Sequence, residues 1–247
     1  MAVGKSWICK GCWQQMHVPI PLRGPLAFPF RLFGVRRSRM NPNLCTICET
    51  MFTKVKKKKQ VVIDATILFA DLRGFTHLSE LVGESEAAEM LHGFYDSCCA
   101  VVWERDGIVN KFIGDAVLAI FNFPIDRDDH VRQAVLAAQD LQRRCHEQMR
   151  ARLADRADAR VPLGLGIGIH AGPCSIGEVG TAYKDFTIIG PVVNTASRLQ
   201  GVAQPGEIVV SEVVFRRVED LAPGATPRTL ELKGIDHPLT TYRVPSA

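Results

Sequence analysis

The stretch NKFIGDAVLAIF, residues 110–121, contains two apolar runs parted by Gly114-Asp115. Ile108–Ile113 and Ala116–Phe121 each have the length of a strand, and Gly-Asp is a good turn pair, so the segment reads as a tight hairpin. A hairpin fixes two antiparallel neighbours and so commits the chain to a sheet. It also places Lys111 inside one strand and Asp115 at the turn, where burial alone would call for neither.

The rest of the chain builds around that hairpin. Thr66–Ala70 is a short apolar strand. Leu91, Phe94, Tyr95, Cys98 and Val102 recur at helical spacing, so residues 84–104 form an amphipathic helix. Val131, Ala134, Val135, Ala138, Leu141 and Cys145 mark a second helix, with Asp126 or Asp128 placed to cap it. Leu163–Ala171 alternates Gly with apolar residues and reads as a strand in a crowded place. Tyr183–Ile189 is a further strand. Pro191 suits the first turn of a helix running to about Gly201. Ile208–Ser211, Arg228–Leu232 and Leu239–Val244 are short late strands. Helices alternate with strands and hairpins, which gives an α+β or α/β class with a mixed or antiparallel sheet.

A chain of 247 residues with 47% hydrophobic content can bury one sizeable core plus a small appendage. No stretch reaches the ~18–20 apolar residues of a membrane span, and no signal-peptide pattern opens the chain. The expectation is a soluble, cytoplasmic protein. Charge divides it in two. Residues 1–60 carry twelve Lys/Arg against Glu49 alone, or +11, and the remainder carries 18 against 25, or −7, which together return the net +4. This separates a basic, Pro-rich segment, residues 1–59, from a main domain, residues 60–247. Pro19, Pro21, Pro25 and Pro29 argue against a regular helix over Val18–Phe33. The Lys56–Lys59 run reads as a solvated linker, or as an arm that meets an acidic lipid or nucleic-acid surface.

The eight cysteines also divide. Cys98, Cys99, Cys145 and Cys174 sit in apolar patterns and read as reduced core residues. Cys9 with Cys12, and Cys45 with Cys48, form two C-x-x-C pairs with the spacing of zinc knuckles, although the gap between them is long. A structural Zn²⁺ site, an iron–sulfur or redox role, and unpaired thiols all remain open. His170, in the glycine-rich strand, reads as a packed or polar core histidine.

Three features carry chemistry. Asp71 ends the first strand, and Asp115 sits at the hairpin tip. Two carboxylates at one sheet edge, without Cys or His, suit oxygen-loving Mg²⁺ or Mn²⁺. A pair of such ions roughly 3.5–4 Å apart is the recurring device for in-line attack at phosphorus. The plain alternative is a turn and a strand end. Asn194 and Arg198 are four apart on one helical face, and an Arg beside an amide suits a phosphoryl transition state and a sugar oxygen. Otherwise they form a solvated helix face. Lys233 precedes Gly234 in ELKGI, where a surface Lys is the ordinary reading.

Together the blocks ILFADLRGFT, GIVNKFIGDAVLAIF, LGIGIHAGPCSIGEVG, FTIIGPVVNTASRL and ELKGI, in this order, resemble the class III nucleotidyl cyclase catalytic domain from about Thr66 to Val244. The resemblance implies a ferredoxin-like α+β core with flanking helices, here preceded by a small Cys-containing module. It implies that Asp71 and Asp115 hold two Mg²⁺ or Mn²⁺ ions, with the Leu72 carbonyl as an extra ligand. Arg198 would stabilise charge on the α-phosphate as the ribose 3′-oxygen attacks, Asn194 would hold the ribose, and Lys233 the outer phosphates. Lys111 and Thr187 fall where the family selects the base. Lys111 only donates and suits adenine N1, and the Thr187 hydroxyl can accept from N6. ATP is therefore favoured over GTP, as in the Lys/Thr-type adenylate cyclases. Thr187 departs from the Asp many members carry, and Pro191 from their Asp or Asn. The expected activity is conversion of ATP to 3′,5′-cyclic AMP and pyrophosphate at a homodimer interface, each site shared between chains. A guanylate cyclase and a non-catalytic nucleotide-binding module are the alternatives.

Overall fold

A long central strand organises the molecule, and its neighbours explain where the candidate residues go. The computed structural model describes residues 6–50, 61–153, 164–180, 182 and 185–246. In chain order these form α1 (Lys10–Met16), α2 (Ala27–Leu32), α3 (Thr46–Thr50), β1 (Val61–Arg73), α4 (Phe75–Val82), α5 (Glu84–Glu104), β2 (Ile108–Ile113) and β3 (Ala116–Phe121). There follow α6 (His130–Leu153), β4 (Gly164–Val179), β5 (Asp185–Ile189), α7 (Pro191–Val202), β6 (Ile208–Ser211), α8 (Glu212–Phe215), β7 (Arg228–Leu230) and β8 (Leu239–Val244).

The sheet order is β2-β3-β1-β4-β6-β8-β7, with β5 pairing to β4 off that path. All pairings are antiparallel except β4 with β6. The fold is therefore α+β with a mixed, mostly antiparallel sheet flanked by helices, as expected. Alternation along β1 divides the core. Leu68, Ala70 and Leu72 join α5 and α6 in one hydrophobic layer. Ala65 and Ile67 join α7 and the N-terminal segment in another.

The glycine alternation in β4 has a steric cause. Leu165, Ile167 and Ile169 point into the α5–α6 layer, while Gly166 and Gly168 turn the other way, toward α7. A Cβ on Gly168 would overlap the backbone of Gln200 and Ala196, and one on Gly166 would come within 2.9 Å of the Ala203 carbonyl. The helix thus lies on strand backbone, which only glycine permits.

Several boundaries differ from the sequence reading. β1 and β4 run well past Thr66–Ala70 and Ala171 because they pair with each other along thirteen residues of β1, Val61 to Arg73. The Leu163 and Tyr183 starts, and the Lys56–Lys59 run, lie outside the described residues. β7 ends at Leu230, two residues early. The residue before α6 is Asp129 rather than Asp126 or Asp128. Within Val18–Phe33 a short helix does form, α2, with Pro29 at its third position. A proline in the first turn removes an N–H that would have no intrahelical partner. Helix α4 has an apolar period, Phe75, Leu78 and Leu81, that the sequence reading missed, and the four-residue α8 is too short to show one. Cys98, Cys145 and Cys174 are buried and Cys99 is partly buried, all as free thiols, and burial pushes Cys145 up to about 12. No helix among the described residues is long and apolar enough to cross a membrane.

Two outcomes follow from this packing. Gly168→Ala should destabilise the protein by about 3 kcal/mol or more in urea unfolding, because backbone rather than a side chain must move. His170, bonded to Ser211 Oγ at 2.6 Å, is pushed down by burial from 6.5 to about 4. The unfolded chain therefore takes up that proton first. The contribution is complete above pH 6.5 and is lost as pH falls toward 4. His170→Gln should flatten the stability–pH curve in that window by roughly 2 kcal/mol, reduced from the full shift for partial exposure.

Candidate active site

The register of the sheet brings the two acids together. Asp71 lies opposite Ala116 in the β1–β3 ladder, so its neighbour across the strands is the turn that carries Asp115. The Leu72 amide donates to the Asp115 carbonyl at 3.2 Å, which latches strand end to hairpin tip. Gly114 takes φ +60 in that turn, a conformation that favours glycine. Tyr95 braces it, donating its hydroxyl to the Gly114 carbonyl at 2.6 Å while its ring stacks on Phe112 at 3.8 Å.

The Asp71 carboxyl is raised above its ordinary range, first by burial and then by the charge of Asp115. Arg73 at 3.0 Å and the Gln200 side-chain amide at 3.0 Å oppose that shift. Two half-buried carboxylates that repel each other form an all-oxygen donor set short of positive charge. That set fits a hard divalent cation and not a soft one.

Helix α7 presents two different faces. Val192, Thr195, Ala196 and Leu199 are buried, and Gln200 reaches Asp71 and receives the Arg73 guanidinium on its carbonyl. Asn194 and Arg198 are exposed. Two helical residues correspond to ~200°, so Arg198 points nearly opposite to Gln200. Lys233 is exposed too, in a turn with Gly234 at φ +80. Among the described residues, no hydrogen bond or ion pair joins Asn194, Arg198 or Lys233 to either carboxylate.

Lys111 and Thr187 both lie where β2 meets β5, each with a different partner. The register of β2 against β3 shifts between Val109 and Lys111, and such a bulge re-aims side chains. Asn110 and Lys111, which an even pleat would send to opposite faces, both reach β5. Asn110 Nδ2 donates to the Phe186 carbonyl at 3.2 Å, and Thr187 Oγ1 lies 3.5 Å from Asn110 Oδ1. Lys111 Nζ pairs with Asp185. Arg73, Gln200 and Asp185 were not picked out in the sequence. For Arg73 and Asp185 a signal existed: each is two residues from a chosen residue on the same strand, hence on the same face.

The four cysteines of the C-x-x-C pairs also come together. Cys9, Cys12, Cys45 and Cys48 are buried, with all their Sγ atoms within 4.8 Å of one another.

Residues 57–245 match the family described as the adenylate and guanylate cyclase catalytic domain. The chain is 33% identical to an adenylate cyclase of Anabaena cylindrica over 186 residues, 72% of this chain and 36% of that one. It therefore spans about a third of that relative's length. Among solved structures it is similar to the adenylyl cyclase CyaB from P. aeruginosa, with 27% identity and a TM-score of 0.67, covering 76% of this chain and 97% of that one. The guanylyl cyclase Cya2 is similar to the same degree, with 26% identity, a TM-score of 0.67 and coverage of 76% and 95%.

The Lys111–Asp185 pair is partly exposed on both sides, at 29% and 43%, so its loss should cost little. Asp185→Asn is expected to change unfolding stability by less than about 1 kcal/mol. A larger loss in a chemical melt would mean that the pair holds β2 to β5, and not merely Lys111 in place.

Proposed function

The chain belongs to the adenylate and guanylate cyclase catalytic domain family, and on that premise we propose that it converts ATP to 3′,5′-cyclic AMP and pyrophosphate. Residues 60–247 are the catalytic unit in this reading, and residues 1–59 a separate small module. The observation that supports the choice of base is that neighbouring residues of β2 reach the same strand, Lys111 meeting Asp185 and Asn110 meeting Thr187 on β5. Lys111 donates to adenine N1, and the Thr187 hydroxyl accepts from N6.

Asp71 and Asp115 hold Mg²⁺ or Mn²⁺, with the Leu72 carbonyl as a further oxygen donor. When bound, the ions supply Lewis-acid stabilisation of the phosphate charge. Arg198 meets the charge that develops on the α-phosphate as the ribose 3′-oxygen bonds to phosphorus and the bridging oxygen leaves with pyrophosphate. Asn194 orients the ribose, and Lys233 neutralises the outer phosphates.

The opposed faces of α7 support a site shared between two copies. Arg198 points away from the carboxylates of its own chain, so it serves those of a partner, and a two-fold dimer completes two equivalent sites. A second reading has an observation of its own. Asp185 places an acceptor beside Lys111, and guanine offers donors at N1 and N2, so cyclic GMP from GTP is the alternative product.

Purified protein assayed with ATP and with GTP, each with Mg²⁺ and Mn²⁺, decides between these. Cyclic AMP should dominate by at least ~10-fold, and dominant cyclic GMP would reverse the assignment. Asp115→Ala and Arg198→Ala should each be inactive. Mixing the two variants after reassociation should restore about a quarter of wild-type activity, because half the dimers then carry one intact site. No recovery would sink the shared site.

A further inference from the structure

The N-terminal segment buries little of its apolar material, and Trp7, Leu26, Phe28, Leu32 and Phe33 are each 64% exposed or more. Its helices have seven, six and five residues. Segments of this size rarely fold on a hydrophobic core alone and take a metal or disulfide staple instead. At its centre lie four fully enclosed sulfurs, Cys9, Cys12, Cys45 and Cys48, each at most 2% exposed.

Their geometry identifies the staple. Cys9 and Cys48 Sγ are 3.5 Å apart, Cys12 and Cys45 3.4 Å, and Cys12 and Cys48 3.3 Å. A disulfide needs about 2.05 Å. Sulfurs tetrahedrally bound at about 2.3 Å stand roughly 3.8 Å from one another, close to what is seen. The Cys12 and Cys45 amides donate to Cys9 Sγ at 3.4 and 3.2 Å, the pattern of a sulfur that carries negative charge. Gly11 is tight against the cluster, with a Cβ there falling 3.0 Å from Cys48 Sγ. The nearby Lys10 ammonium is turned outward to Asp106, at 2.6 Å.

That turn outward shows what the staple holds. Asp106, only 5% exposed, takes Lys10 on one oxygen and Arg127 on the other at 2.9 Å. Asn41, fully buried, donates to the Gly107 carbonyl at 2.8 Å, and Trp103 Nε1 donates to the Met40 carbonyl at 2.6 Å. Gln14 exchanges two hydrogen bonds with the Asp126 backbone, at 2.9 and 3.1 Å. Residues 106–107 lead into β2, and Asp126 follows shortly after β3. The module therefore grips both legs of the β2–β3 hairpin at its base, opposite the tip that carries Asp115.

We infer that Cys9, Cys12, Cys45 and Cys48 hold one Zn²⁺ per chain as a tetrathiolate, and that this ion keeps the module clamped to the base of the β2–β3 hairpin. Four sulfurs in a closed tetrahedron select zinc or iron among common ions. They leave no open position for catalysis. Binding fixes two distant chain segments at one point and so supplies folding free energy to a module whose few buried apolar side chains, Ile20, Leu22 and Leu44, belong to a core shared with the main sheet.

The test is elemental analysis of the full chain, purified under reducing conditions without added metal. About one zinc per chain is expected. Cys12→Ser with Cys48→Ser should fall below half of that, while Cys98→Ser keeps the metal. Should the double variant fail to fold, Cd²⁺ exchange into the wild type replaces it, with one ion per chain and thiolate-to-metal charge transfer in the ultraviolet as the expected result. Less than half a zinc in the wild type with no uptake of Cd²⁺, iron in place of zinc, or disulfides between these cysteines would each overturn the site. Hydrogen exchange before and after zinc removal tests the clamp. Residues 103–107 and 122–126 should lose protection while α6 keeps it, and unchanged protection there would overturn the clamp.

Discussion

Helix α7 resting on the bare backbone of β4 is the contact from which the site takes its form. Gly166 and Gly168 let the helix approach until strand and helix backbones touch. At that separation the rotation of the helix is not free. Val192, Ala196 and Leu199 fill the layer beneath, Gln200 is driven against Asp71, and Asn194 and Arg198 are left facing out. One steric fact thus orients the candidate transition-state residues and separates them from the acids of the same chain. A larger side chain in β4 would lift the helix and change all of these relations together.

The β2–β3 hairpin carries the opposite kind of design, a loaded tip on a braced base. Its tip holds Asp115 against the end of β1 through the Leu72–Asp115 hydrogen bond. Its bulge sends Asn110 and Lys111 toward β5. Its base is tied to the N-terminal segment through Asp106, Gly107 and Asp126. A hairpin pinned at both ends can hold a strained electrostatic arrangement, and one is present here. Burial and like charge raise Asp71, a destabilising feature of the kind that binding sites retain because a ligand relieves it.

The sequence alone determined most of the sheet, the long helices α5 and α6, and the family. The β2 and β3 limits, the span of α5 and the strands β6 and β8 were legible because their apolar periods are clean and their breaks are marked by glycine or proline. The blocks around Asp71, Asp115, Asn194, Arg198 and Lys233 pointed to a nucleotidyl cyclase domain through their resemblance, in order, to that family. The two C-x-x-C pairs marked Cys9, Cys12, Cys45 and Cys48 as candidate metal ligands by spacing. What the sequence left hidden was every relation set by contact between distant segments. The pairing of Asp185 with Lys111, the bond of Gln200 to Asp71 and the convergence of four cysteines depend on strand register, on a bulge and on loop closure. Only the tertiary structure decided these, because periodicity records which face of an element is buried, whereas the partner found on that face is fixed by how the whole sheet twists and pairs.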